Sequence, residues 1–194
     1  DQLDESSAVG VLRNVLFESA LLGTGILKGP FSYEEATHNW VKNPETGKNE
    51  YFPKTKLVPK IEAVSCWDFY PDPDATTIED ADYVIQRHVY TRAQVRDLMN
   101  RPFFRKEAIK DSLAMGPSYE SRGYEASLQD RESTDDLNKN RYEILEFWGI
   151  LDTELAREAG LELDDDIDEL DEIQVNCWVC NGEVIRLVLN PFTP

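Results

Sequence analysis

Hydrophobic and polar positions along this chain change period several times, and each change marks an element. Val9, Leu12, Val15, Leu16, Ala20 and Leu22 recur near helical spacing on one face, with Asp4 or Ser6 placed to cap. Gly23-Thr-Gly stops that helix, because glycine takes positive φ freely, and Ile26-Leu27 begins a strand. From Phe31 to Phe52 the pattern suggests a β-hairpin, with Tyr33 to Val41 returning through Asn43-Pro-Glu-Thr-Gly47 as Glu50 to Phe52. Val58 to Ser65 reads as a further strand.

The stretch from Val64 to Thr91 organises the rest of the chain. Pro71 and Pro73 fix two backbone angles and withdraw two amide donors, so Tyr70-Pro-Asp-Pro-Asp74 is a stiff loop that cannot continue a ladder. Asp72 and Asp74 can fold onto nearby amides, and Thr76 or Thr77 can open the acidic turn Ile78 to Asp82. Tyr83 to Tyr90 returns as a strand. Thr91-Arg-Ala-Gln94 is a capping box for a short helix ending near Arg101-Pro102, with Phe103 and Phe104 as its anchors, and Lys106 to Ala114 is a second helix closed by Gly116-Pro117.

Residues 118–140 are polar and read as a mobile loop. Tyr142 to Leu151 is apolar on both faces, as a central strand is. Thr153 opens a helix that Gly160 ends, and residues 162–172 form an acidic loop with eight acids in eleven residues. Ile173 to Cys180 and Val184 to Leu189 flank Asn181-Gly182, a strong hairpin signal. The order predicts an α+β fold, a single domain over 1–194, with a largely antiparallel sheet and a few short helices packed to one side.

Charge narrows the function. Against 20 basic residues stand 38 acids, a formal net charge of −18, which repels phosphate backbones and anionic lipid rather than gripping them. Lys54, Lys56 and Lys60 alternate along an extended segment, as lysines guarding a strand edge do, and would act as a weak positive girdle if they met DNA. No apolar run is long enough to span a bilayer, and there is no basic, apolar leader. Three cysteines, an odd number, argue for a reducing compartment. The chain starts at Asp1 and stops at Pro194, and is expected to be a fragment of something longer.

Candidate chemistry is sparse. Gly23-Thr-Gly runs helix to strand, the reverse of a phosphate loop. Asp164, Asp166 and Asp168 match the first calcium-loop positions, but Glu169 replaces the turn glycine and Val175 the bidentate glutamate. Cys177 and Cys180 lie three apart in a strand and so face opposite ways, with Cys66, His38 and His88 as the only other soft ligands. No nucleophile elbow or zinc-protease motif accompanies the histidines. Read by its residues alone, the chain is a structural or interaction domain with no cofactor and no catalytic set. Two alternatives carry the remaining acids: a partner- or cation-binding module using residues 162–172, and a metal-dependent hydrolase built on the carboxylates between Asp68 and Asp82.

Four segments together resemble the portal, or head-to-tail connector, proteins of short-tailed bacteriophages. They are Ala20-Leu-Leu-Gly-Thr-Gly-Ile-Leu-Lys-Gly-Pro30, Asp68-Phe-Tyr-Pro-Asp-Pro-Asp-Ala75 with Glu79-Asp-Ala-Asp-Tyr-Val84, Glu143-Ile-Leu-Glu-Phe-Trp-Gly149, and Asn190-Pro-Phe-Thr-Pro194, in that family's order over nearly the whole chain. The resemblance implies a part of the β-rich wing of a dodecameric ring at one capsid vertex, in the virion and, during assembly, in the host cytoplasm. Such a ring conducts double-stranded DNA during packaging and ejection without binding its sequence, docks the terminase and seats the tail. Its long stem helices are not found in this chain. It implies no catalytic, cofactor or metal residues, only architectural ones: Gly23 and Gly25 at the helix-to-strand turn, Asp72, Pro73 and Asp80 in the central loop, and Asn190 with Pro191 at the exit.

Overall fold

The computed structural model describes residues 8–42, 47–119, 140–163 and 170–192. Its elements in chain order are α1 (Ala8–Leu22), β1 (Ile26–Lys42), β2 (Asn49–Val64), β3 (Phe69–Pro71), β4 (Tyr83–Thr91), α2 (Arg92–Asp97), α3 (Lys106–Met115), β5 (Arg141–Asp152), α4 (Thr153–Glu158), β6 (Glu172–Cys180) and β7 (Glu183–Leu189). The fold is α+β, with antiparallel sheets and short helices packed against them. Where the sequence suggests a single domain, the chain divides into two compact units, Asp1–Trp67 and Asp68–Pro194. The cause is the hydrogen bonding, since β1 and β2 pair with each other while β3 to β7 form a separate sheet.

In the first unit, α1 ends where Gly23, at φ +82°, donates its amide to the Ser19 carbonyl at 2.9 Å. Gly25 is required for a different reason than a left-handed backbone. A Cβ there would lie 2.5 Å from the Val15 carbonyl oxygen and 2.9 Å from Val15 Cγ1, so the chain can pass this close to α1 only without a side chain. Glu18 fastens the helix to the end of β2, accepting from Ser65 Oγ at 3.0 Å and from the Cys66 amide at 3.1 Å. The four short strand segments expected here are instead one long two-stranded ribbon, in register from Ile26↔Val64 to Lys42↔Asn49 with one irregularity between Lys28 and Phe31. Pro53 and Pro59 lie inside β2 opposite His38 and Ser32. A two-stranded ribbon leaves every strand a free edge, where a missing amide donor costs no ladder bond.

In the second unit the spatial order of strands is the chain order, each antiparallel to the next, and β5 is central. Residues opposite one another share a face, so the row Gln86, Glu146, Trp178, Arg186 lies on one side of the sheet and Ile85, Phe147, Cys177, Leu187 on the other. On the first side Ile144, Trp178, Cys180 and Ile185 pack with Val95 of α2, with Leu98 just after that helix, and with Ile109 and Leu113 of α3. On the second, Ile173, Val175 and Leu187 pack with Ala156 of α4. Between Trp178 and Val179 the register slips, leaving Ile185 as an extra residue.

Local chemistry sets the ends of these elements. Thr91 and Gln94 form the predicted capping box. Asn181 and Gly182 both hold positive φ, +53° and +82°, as a tight hairpin turn requires. The Asn181 amide also donates to the Ser112 and Gly116 carbonyls at 2.8 and 2.9 Å, tying the hairpin tip to the end of α3. Asp152 caps α4 through the Glu154 and Leu155 amides, and Gly160, at φ +83°, follows its end.

Two glycines of the first unit are expected to respond in opposite directions. Gly10 lies within α1 with open space at its Cβ position, so Gly10→Ala is expected to raise stability by up to about 1 kcal/mol. Gly25→Ala is expected to lower it by about 1–3 kcal/mol, because backbone must move. Urea midpoints of the two variants check this, with Gly25→Ala at or above the unsubstituted chain as the contrary result.

Candidate functional site

Within the described residues, the densest polar cluster sits on the inner side of the central strand. Glu146 occurs in the middle of an apolar run, and the alternation of β5 turns it to the face shared with Gln86 and Trp178. It is 2% exposed. An ionised carboxylate only accepts hydrogen bonds. Three donors converge on Glu146: His88 Nε2 at 2.7 Å to Oε2, and Trp148 Nε1 at 2.7 Å and Asn176 Nδ2 at 3.4 Å to Oε1. Asn176 in turn accepts from Trp178 Nε1 at 3.1 Å. The His88 ring stacks on Trp178, centroids 5.0 Å apart, and leans on Tyr90 at 5.5 Å.

This cluster joins β4, β5 and β6 through side chains as well as through the ladder. A carboxylate orienting a histidine is also one half of an acid and base pair, but here both oxygens of the carboxylate are engaged by protein donors and the imidazole lies between aromatic rings. The arrangement is a polar clamp inside the sheet. By sequence His88 reads as an ordinary strand residue, and Glu146 as one member of an alternating strand with no role of its own. The signal available was a glutamate at a core-facing position of an otherwise apolar strand, two residues before a tryptophan.

On the opposite face Arg87 Nε donates to Asp68 Oδ1 at 2.7 Å, with the arginine side chain 4% exposed. This fixes the start of β3 against β4. Beyond it, Asp72 staples the proline loop. One carboxylate oxygen accepts from the Asp74 amide at 3.0 Å, the other from the Asp82 amide at 3.2 Å, and its own amide donates to the Tyr83 carbonyl. Pro73 lies inside that closed loop, and Asp80 accepts from Thr77 Oγ1 at 3.0 Å. Where the chain leaves the sheet, the Asn190 backbone amide donates to the Gln174 carbonyl at 2.9 Å, and the Asn190 side chain accepts from the Phe192 amide at 3.0 Å across Pro191.

The predicted positions are thus distributed rather than convergent. Gly23 and Gly25 lie at the end of α1, Asp72, Pro73 and Asp80 in the loop before β4, and Asn190 and Pro191 after β7. Among the described residues no three His, Cys, Asp or Glu side chains gather as a metal site. Most of the predicted polar loop, and Asp164, Asp166, Asp168 and Glu169 of the acidic loop, lie outside the described residues. Ser118 and Tyr119, at the loop's start, donate their amides to the Arg141 carbonyl. Of the predicted aromatic anchors, Phe104 packs edge-on against Trp178 at 5.4 Å, whereas Phe103 is 72% exposed.

Cys177 and Cys180 fall on opposite faces, in separate apolar clusters. Burial pushes both thiols above their ordinary range; Arg105 offsets part of this for Cys177 and a hydrogen bond with Ser112 for Cys180. Among the described residues no helix is long and apolar enough to cross a membrane. Comparison of the chain with protein-family models gives no match, and comparison with curated proteins gives none either.

The clamp makes Glu146 sensitive to a change that preserves its shape. Glu146→Gln sets an amide group against existing donors and removes a charge its partners compensate, and is expected to cost about 3 kcal/mol. Glu158→Gln, on an exposed position of α4, is expected to stay within about 0.5 kcal/mol. Equilibrium unfolding in urea separates the two, and equal midpoints would show that the clamp does not hold the sheet.

The thiols give a pH-dependent prediction. A raised thiol pKa means the fold favours the neutral form, so this stabilisation is complete below the unfolded value, about 8.5, and is lost as pH rises through the higher folded values. Iodoacetamide at pH 8.5 is expected to leave Cys180, which is fully buried, unmodified until urea unfolds the chain. Peptide mass spectrometry reads the outcome directly.

Proposed function

We propose that this chain is a structural segment of a bacteriophage portal, a wing-like part of the head-to-tail connector ring through which DNA is packaged and ejected. Beyond the resemblance of its four segments, the observation that carries this reading is the outer surface of α1. Val9, Leu16, Phe17 and Leu21 are 66–70% exposed, on a helix whose less exposed positions include Val11, Val15 and Glu18. Large apolar side chains exposed together on one helix mark an interaction surface. Nearby in sequence, Trp40 and Tyr51 pair across the ribbon at 5.3 Å and remain 67% and 46% exposed.

On this reading other copies of the protein are the first partners, and terminase, capsid and tail proteins dock on the assembled ring in the virion. The charge of −18 suits a wall that DNA slides past, since it offers the phosphates no grip. The roles of the clamp, the proline loop and the glycine turn are then all mechanical: they keep the segment's shape while its neighbours move.

The test is the mass of the chain by light scattering over a range of protein concentrations. Association beyond the monomer is expected, and Leu16→Glu with Phe17→Glu is expected to return the mass to that of a monomer while leaving the far-ultraviolet circular dichroism unchanged. A monomer at every concentration, or association untouched by the double substitution, overturns α1 as the assembly face.

A further inference from the structure

The ribbon of the first unit has two outer edges, and they are not alike. Proline carries no amide hydrogen, so the opposite positions Pro53↔His38 and Pro59↔Ser32 cannot exchange ladder bonds and are non-hydrogen-bonded pairs. At such pairs the backbone groups of both residues point away from the partner strand, and the direction alternates along each strand. Pro53 and Pro59 stand an even number of positions apart and so agree. On β1 the outward positions are therefore Ser32, Glu34, Ala36, His38, Trp40 and Lys42, an unbroken series of donors and acceptors. On β2 they are Tyr51, Pro53, Thr55, Leu57 and Pro59, a series that has lost donors at both prolines.

Charge divides the edges in the same way. Residues 31–41 of β1 include Glu34 and Glu35 and no lysine or arginine, whereas residues 53–60 of β2 include Lys54, Lys56 and Lys60 and no acid. Proline and lysine are the usual guards of a strand edge. β2 carries both, and β1 carries neither over that span. Among the described residues no third strand lies beside β1. Towards the ends of the series, Ser32, Trp40 and Lys42 are exposed.

We propose that the outer edge of β1 takes up an extended basic segment of another protein as a third strand. Main-chain hydrogen bonds supply the affinity in such an addition, and the side chains of the added strand decide what is admitted. Lysine or arginine on the incoming strand would stand beside Glu34 and Glu35, and the net charge of −18 draws a basic segment towards the chain from a distance. A second copy fits the edge less well. Its β1 would bring acids against acids, and its β2 would bring the two positions without donors. A third strand also suits the ribbon, because an isolated pair is marginally stable. α1 is fastened near Gly25 and Ser65, at the other end of the ribbon, so the edge is open whether or not copies associate through that helix.

The probe is a short fluorescent peptide alternating lysine with threonine and valine, titrated into the whole chain and read by anisotropy, with amide hydrogen exchange by NMR to locate it. Saturable binding is expected, with exchange slowed at the outward amides of Glu34, Ala36, His38 and Trp40 and little changed at those between them, which the ribbon ladder already holds. His38→Pro removes one outward donor without touching the ladder and is expected to weaken binding about tenfold or more, whereas His38→Val keeps the amide and is expected to leave it within about twofold. Glu34→Lys with Glu35→Lys keeps every donor and is also expected to weaken binding about tenfold or more, which keeps the test decisive if the proline variant fails to fold. Leu16→Glu with Phe17→Glu is expected to leave the binding unchanged, so the β1 edge and α1 are read separately. Equal affinity for the same peptide with glutamate in place of lysine, or slowed exchange confined to the second unit, overturns the site. Slowed exchange at the outward amides in the chain alone, rising with its own concentration, assigns the edge to a second copy and overturns the basic strand.

Discussion

A buried carboxylate in the middle of a sheet is the constraint on which the second unit depends. Removing Glu146 from water costs several kcal/mol unless donors replace the water. Those donors come from three adjacent strands. They meet Glu146 only in one register, because a slip of one residue turns every side chain of a strand to the other face. The apolar residues of β5 are nearly interchangeable between faces and specify register weakly. The charged residue among them specifies it strongly.

That same distinction explains what could be read from the sequence. Elements whose ends are set by local chemistry were legible: the Thr91 capping box, the Asn181-Gly182 turn, and the glycines after α1, α3 and α4. Each depends on a few consecutive residues. The central position of β5 was legible too, from its two apolar faces. The clamp was not, because His88 and Glu146 are 58 residues apart and nothing in either neighbourhood specifies the other. The long ribbon was missed for the opposite reason. Pro53 and Pro59 are breakers in a sheet interior, and only the tertiary fact that β1 and β2 have no third strand makes them harmless. Gly25 was located correctly at its turn, but the expected reason, a positive φ, differs from the close approach to Val15 that requires it.

The two units solve burial differently. The second has two apolar clusters, one on each face of its sheet. The first has a ribbon, which as an isolated pair is marginally stable, and one helix held to it through Glu18 and the close passage at Gly25. Its exposed apolar side chains include Val9, Leu16, Phe17 and Leu21 of α1 and Trp40 of β1.

Strand order that follows chain order has a kinetic consequence. Every ladder of the five-stranded sheet joins strands consecutive in sequence, and the β6–β7 hairpin closes through a tight turn at low entropic cost, while the connections before β4 and β6 are longer. The longest connection is that between β4 and β5, where α2, α3 and residues 120–139 intervene. Its closure carries the largest entropic cost in the second unit. It is also the junction that the His88–Glu146 bond spans, so the contact that fixes the register forms at the step where a wrong register would be most costly.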